Sequence, residues 1–163
     1  MKRFICLAIA VILLLSLCGC KSEANKTVSF YYCRKPDSYL YGKPNSVIVA
    51  EERDYSANLA YMLALYFSGP LDENLTIPLP SSCRLVSVKK EDTRVLVQLT
   101  GINDIQSQVD QSVAYACITL TCLELTGAES VVISTDKQSV TLDRSSILLF
   151  DENFSANTET GGQ

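Results

Sequence analysis

Between residues 105 and 126 the chain carries its longest helical pattern, and this segment limits the folds open to the rest. Val109, Val113, Ala116, Leu120 and Leu123 recur at spacings of three and four, which sets them on one stripe of a helix. Ala114, Cys117, Ile118 and Leu125 widen the apolar surface beyond that stripe, so the helix is expected to lie deep in its domain. Ser107 and Asp110 have capping-box spacing, with Asp in place of the usual Glu or Gln, and Gly127 supplies the stop.

The remaining segments read mainly as strands. "TVSFYYCR" (27–34) is β-branched and aromatic, and "SVIVAEE" (46–52) is a second short strand. Between them, "KPDSYLYGKPN" holds two prolines and a glycine and reads as a loop. Asp54 is placed to cap a first helix in which Leu59, Met62, Leu63, Tyr66 and Phe67 recur at helical spacing. Ser68-Gly69-Pro70 ends that helix, because proline cannot continue it. "CRLVSVKK" and "TRVLVQLT" flank the polar pair "ED" as a β-hairpin. In it Val86 and Val88 share one face, and Val95, Val97 and Leu99 alternate on the partner strand. "SVVIST" (130–135) is a further strand and "SILLF" (146–150) the expected last one.

The order strand, helix, hairpin, helix, strand predicts an α+β fold with a β-α-β-β-α-β core. Two main helices would pack on one face of a small mixed or antiparallel sheet, with extra strands near the ends. Residues 27–152, about 125 residues, are the length of one domain with one core. "NFSANTETGGQ" from 153 to 163 reads as a disordered polar tail.

The N-terminus assigns an address. Lys2 and Arg3 precede the apolar run "FICLAIAVILLLSLC", and small Gly19 stands just before Cys20. This is the order of a secretory signal, and the run is short for a membrane span, which needs about 20 apolar residues. Leu17-Cys18-Gly19-Cys20 resembles a bacterial lipobox, in which the cysteine after the cleaved bond carries a lipid. Residues 1–19 are then a lipoprotein signal peptide, Cys20 the lipid attachment point, and residues 20–26 a polar tether. The resemblance implies a chain held to the cell membrane on its extracytoplasmic face, with envelope proteins as its expected partners. Cleavage takes the formal charge from −4 to −6. A mildly acidic domain with no clustered Lys and Arg is a poor nucleic-acid binder.

Four segments in order resemble the GerMN domain of sporulation, spore-germination and other bacterial surface lipoproteins. They are "LALYFSGP", "TIPLPSSCRLVSV", "VLVQLT" and "ACITLTCLELTGAESVVIS", within about residues 55–135. The Asp-Gly that often follows the last family strand is replaced here by "TDKQS", and one copy stands where the germination lipoprotein has two in tandem. The resemblance implies an α+β module of the ring-building type, used for protein assembly at the envelope, without catalytic residues. A small envelope lipoprotein that binds peptidoglycan or a small molecule is the alternative.

The residues themselves offer little catalytic chemistry. Histidine is absent, which removes the commonest general base and zinc ligand and excludes Ser-His-Asp and Cys-His catalysis within one chain. The carboxylate pairs Glu51–Glu52, Asp72–Glu73, Glu91–Asp92 and Asp151–Glu152 adjoin turns and read as solvated charges. A glycosidase needs two carboxyls facing across a cleft, which neighbours in sequence do not supply. No catalytic, metal or cofactor residue is therefore expected. Of the cysteines after Cys20, Cys117 and Cys122 fall about 140° apart on one helix and cannot bridge. A Cys33–Cys83 bridge is geometrically open, and buried free thiols are the default. Tyr39, Leu40 and Tyr41 remain, three large residues in a loop bounded by Pro36 and Pro44. They are the candidate partner contact, or else a lid folded over the chain's own sheet.

Overall fold

The computed structural model describes residues 26–35 and 48–147. Among them seven strands and two α-helices follow in the order β1 (Thr27–Arg34), β2 (Ile48–Asp54), α1 (Leu59–Phe67), β3 (Leu75–Thr76), β4 (Arg84–Glu91), β5 (Arg94–Thr100), α2 (Gln108–Thr126), β6 (Ser130–Ser134) and β7 (Ser139–Asp143). The architecture is α+β. The strands divide between two sheets, a three-stranded antiparallel one ordered β2-β1-β3 and a four-stranded mixed one ordered β4-β5-β6-β7.

The sheets are assembled around α2. Ser107 accepts the Asp110 backbone N–H at 3.2 Å to start the helix, and Gly127, at φ 63°, ends it with its N–H on the Leu123 carbonyl at 2.8 Å. In between, Ala114, Tyr115, Cys117 to Leu123 and Leu125 are all buried. Such all-round burial means neighbours on more than one side, and α2 does contact β1 of one sheet and β5, β6 and β7 of the other. The stripe does not hold along its whole length: Val109, in the first turn, is 71% exposed, whereas Leu120 is fully buried. The helix also starts later than position 105, because Ile102–Asp104 forms a separate 3-10 turn ahead of it.

β5 and β6 run parallel, and α2 is the crossover between them. A parallel pair needs such a connection, and its strands are buried on the helix-bearing face. Accordingly Val95, Val97 and Leu99 of β5 and Val131 and Ile133 of β6 are buried by alternation. β1 contributes Val28, Phe30 and Tyr32 in the same way, and α1 adds Met62, Leu63 and Tyr66. Tyr32 and Tyr66 stack with ring centroids 5.1 Å apart, and Phe30 meets Tyr66 edge-on at 5.8 Å.

Three local expectations are corrected. Asp54 belongs to β2, and the first helix is capped instead by Asn58, whose side chain accepts the Tyr61 N–H at 3.0 Å. Val86 and Val88 do not share a face: the β4–β5 register shifts between Leu85 and Ser87, leaving Val86 53% exposed while Leu85 and Val88 pack on the core. An extra residue in one strand turns the following side chains to the other face. The last described strand is β7; of the expected strand at 146–150, Ser146 lies in a 3-10 turn and Ile147 in no strand. Asp143 stops β7 by accepting the Ser146 N–H at 2.8 Å, and the chain turns through a 3-10 segment at Arg144–Ser146. Leu148, Leu149 and Phe150 lie outside the described residues.

Candidate functional site

The sheet-helix arrangement leaves an apolar groove of about 390 Å³ between the first half of α2, β7 and the start of β2. Val113 and Ala116 form one wall, three positions apart on α2, and Val140 and Leu142, two apart on β7, form the other. Ile48 and Ile147 close its ends. Among the described residues the polar side chains along it are Ser112, Tyr115 and Ser146, and the Tyr115 hydroxyl already accepts from Gln138 Nε2 at 3.0 Å. A groove of this composition can hold an apolar side chain or strand, and it has no group placed for acid–base chemistry.

Ile48 is the first described residue after the segment 36–47, which holds Tyr39, Leu40 and Tyr41. Those three residues, and Cys20 with the signal and tether segments, lie outside the described residues. The tail from 153 does also.

A second, shallower hollow of about 630 Å³ is bordered by Glu124, Glu129, Asp143 and Arg144. Arg144 pairs with Glu124 at 3.5 Å. Asp143 is engaged in the turn through one carboxylate oxygen. It accepts from Ser145 Oγ at 2.7 Å and from the Ser146 N–H and Oγ at 2.8 Å each, and these bonds hold its carboxyl down to about 2.

The carboxylate pairs are not uniformly solvated. Glu51 is 12% exposed and serves as a staple: one oxygen accepts from Arg53 Nε at 2.7 Å, the other from the backbone N–H groups of Leu71 and Asp72, both at 2.8 Å. Arg53 in turn donates to the Gly69 carbonyl at 3.1 Å, so the pair fixes the chain where it leaves α1. Glu52, Asp72, Glu73 and Asp92 are exposed. Among the described residues no three His, Cys, Asp or Glu side chains come together as metal ligands.

Cys33, Cys83, Cys117 and Cys122 are all buried free thiols. Burial pushes the Cys83 thiol up to about 11 and the Cys122 thiol up to about 12. Cys33, on β1, meets a thiol that sequence spacing had not paired with it. Cys117 on α2 is its neighbour; it lowers the Cys33 thiol, and the same pairing together with burial raises that of Cys117. Spacing could not reveal this contact, since β1 and α2 are far apart in the chain. The only hint was that both segments are apolar.

No family model matches the chain, and no curated protein matches it in sequence. Among solved structures it is similar to a candidate lipoprotein from Clostridium perfringens, at 16% identity over 74% of this chain and 88% of that one, with a TM-score of 0.47. It is also similar to the tandem GerMN domains of the sporulation protein GerM from Bacillus subtilis, at 24% identity over 74% of this chain and 44% of that one, with a TM-score of 0.43.

Proposed function

We propose that this chain is a lipid-anchored, non-enzymatic module of the bacterial envelope that serves protein assembly, in processes of the sporulation or germination type. The observation that carries the reading is Leu17-Cys18-Gly19-Cys20 at the end of an almost unbroken apolar run. The geometry adds a distance. β1 begins at Thr27, so the tether from Cys20 spans at most about 20–25 Å when fully extended. A domain held that close to the bilayer meets partners that are themselves at the membrane surface. The Tyr39-Leu40-Tyr41 segment, three large residues between Pro36 and Pro44, is the contact we assign to such a partner. A second reading, binding of peptidoglycan or a small molecule, draws on the groove itself, whose 390 Å³ falls within the size of small-ligand sites.

Cells fed a labelled fatty acid test the anchor. The wild type and Cys18→Ala should take up label and Cys20→Ala should not; label retained without Cys20 would refute the anchor. In the same cells, Tyr39→Ser/Tyr41→Ser should lose crosslinks to its partner while keeping the wild-type melting temperature. A melting temperature lower by several degrees with crosslinks intact would make the loop a lid and the contact assignment wrong.

A further inference from the structure

We infer that Cys33 and Cys117 are a disulfide-forming pair that locks β1 to α2 when the chain meets an oxidant. Two observations place these residues opposite each other. The Tyr31 backbone N–H donates to Thr121 Oγ1 at 3.0 Å, which pins the strand to the helix at one point. From that point Cys33 lies two residues on along β1, about 6.6 Å in an extended strand. Cys117 lies four residues back along α2, about 6 Å in a helix. The two steps agree to within about 1 Å, and Ile48, which pairs with Cys33 across β1–β2, lines one groove with Val113 and Ala116 of α2, so β1 runs past this part of the helix toward its N-terminal half.

The other two described cysteines stand elsewhere in the fold. Cys122 is five residues further along the same helix and faces elsewhere, and Cys83 sits ahead of β4, held by its N–H on the Pro80 carbonyl at 2.9 Å. Within the pair the roles differ. Cys33 is 8% exposed and Cys117 fully buried, so Cys33 is the sulfur an external reagent reaches. The neighbouring Cys117 side chain lowers the Cys33 thiol, which favours its thiolate, the nucleophilic form.

The oxidant is an external disulfide, either a low-molecular-weight one or that of a thiol–disulfide oxidoreductase. The Cys33 thiolate attacks one of its sulfurs and displaces the other as a thiolate, leaving a mixed disulfide on Cys33. Cys117, giving up its proton, attacks the Cys33 sulfur and displaces the second external thiolate. Two protein thiols and one external disulfide become one protein disulfide and two external thiols, which carry off both electrons and both protons. An extracytoplasmic address would supply such an oxidant, but the chemistry of the pair does not depend on it.

The test therefore uses the purified full chain in detergent, reduced, unfolded and refolded in a buffer of oxidised and reduced glutathione. The product is alkylated under denaturing conditions without reductant, digested and read by mass spectrometry. A Cys33–Cys117 linked peptide pair is expected, with Cys83 and Cys122 alkylated. The oxidised chain should melt roughly 10 °C above the reduced one, as a bridge closing a long loop predicts. Cys83→Ala should keep both the link and the shift, and Cys33→Ala/Cys117→Ala should melt at one temperature with or without reductant. Alkylation of all four cysteines, or linkage through Cys83 or Cys122, would overturn the assignment. These peptides are read in the wild type, so the result stands even if a variant fails to fold, and it is separate from fatty-acid labelling at Cys20.

Discussion

Replacing Gly101 with alanine sets one piece of backbone against another. Gly101 has φ 75°, and a Cβ built on it would run into the Ser82 carbonyl, with the carbonyl carbon at 2.6 Å and the Cys83 nitrogen at 3.0 Å. Ser82 cannot easily retreat. Its hydroxyl bonds Asp104 at 2.6 Å, and two residues later Arg84 pairs with Thr100 to open the β4–β5 hairpin. Gly127 provides the comparison, since it has φ 63° but nothing within 4 Å of a new Cβ. A left-handed conformation costs an L-residue roughly 1–2 kcal/mol, partly offset by the roughly 0.4–1 kcal/mol that alanine removes from the unfolded chain's freedom. Gly127→Ala should therefore cost about 1 kcal/mol. Gly101→Ala carries the same strain plus an overpacking cost of roughly 1–3 kcal/mol, for a total of about 2–4 kcal/mol. Urea unfolding followed by circular dichroism measures both, with equal m-values required for the comparison. If Gly101→Ala costs no more than Gly127→Ala, within about 0.5 kcal/mol, the close approach of residues 82 and 101 is not a real constraint and the reasoning fails.

Leu120, fully buried on α2, should cost about 2–5 kcal/mol when cut to alanine; a loss below about 0.5 kcal/mol in the same assay would place its side chain outside the packed interior. Asp143 should make stability depend on acid. Its carboxyl is held to about 2 in the folded chain, below the unfolded value, so its contribution is complete above about pH 4 and is lost as pH falls through about 2. Melting temperatures between pH 4 and 2 should fall less steeply for Asp143→Asn than for the wild type, and parallel curves would show that the Ser145 and Ser146 bonds do not hold the carboxylate.

The parts of this fold set by neighbours in sequence could be read in advance. Ser107 and Gly127 mark the ends of α2 through bonds to residues three or four positions away, and the alternation of Val95, Val97 and Leu99 survives in β5. The failures arise where a distant partner decides. Val86 reads as an inward residue until the bulge against β5 turns it out. β7 is missed because Val140 and Leu142 are only two apolar residues among polar ones, and they become a strand by pairing with Val131 to Ile133 of β6. Glu51 reads as a surface charge until the loop after α1 brings the Leu71 and Asp72 N–H groups to it. The candidate site shows the same division. Its groove is assembled from α2, β7 and both flanking isoleucines, so no local motif announces it.

The bond from Tyr31 to Thr121 spans 90 positions of sequence, and in a chain made from its N-terminus that separation is a waiting time. At about 5–20 residues per second, roughly 5–20 s pass between the appearance of Tyr31 and of the residue it bonds. Through that interval β1 can pair with β2, and Phe30 and Tyr32 can meet Tyr66 of α1, yet α2, which also packs on β1, is still missing. The first strand made is thus among the last to be sealed, and a chaperone or export factor that shields residues 27–34 would matter most during those seconds.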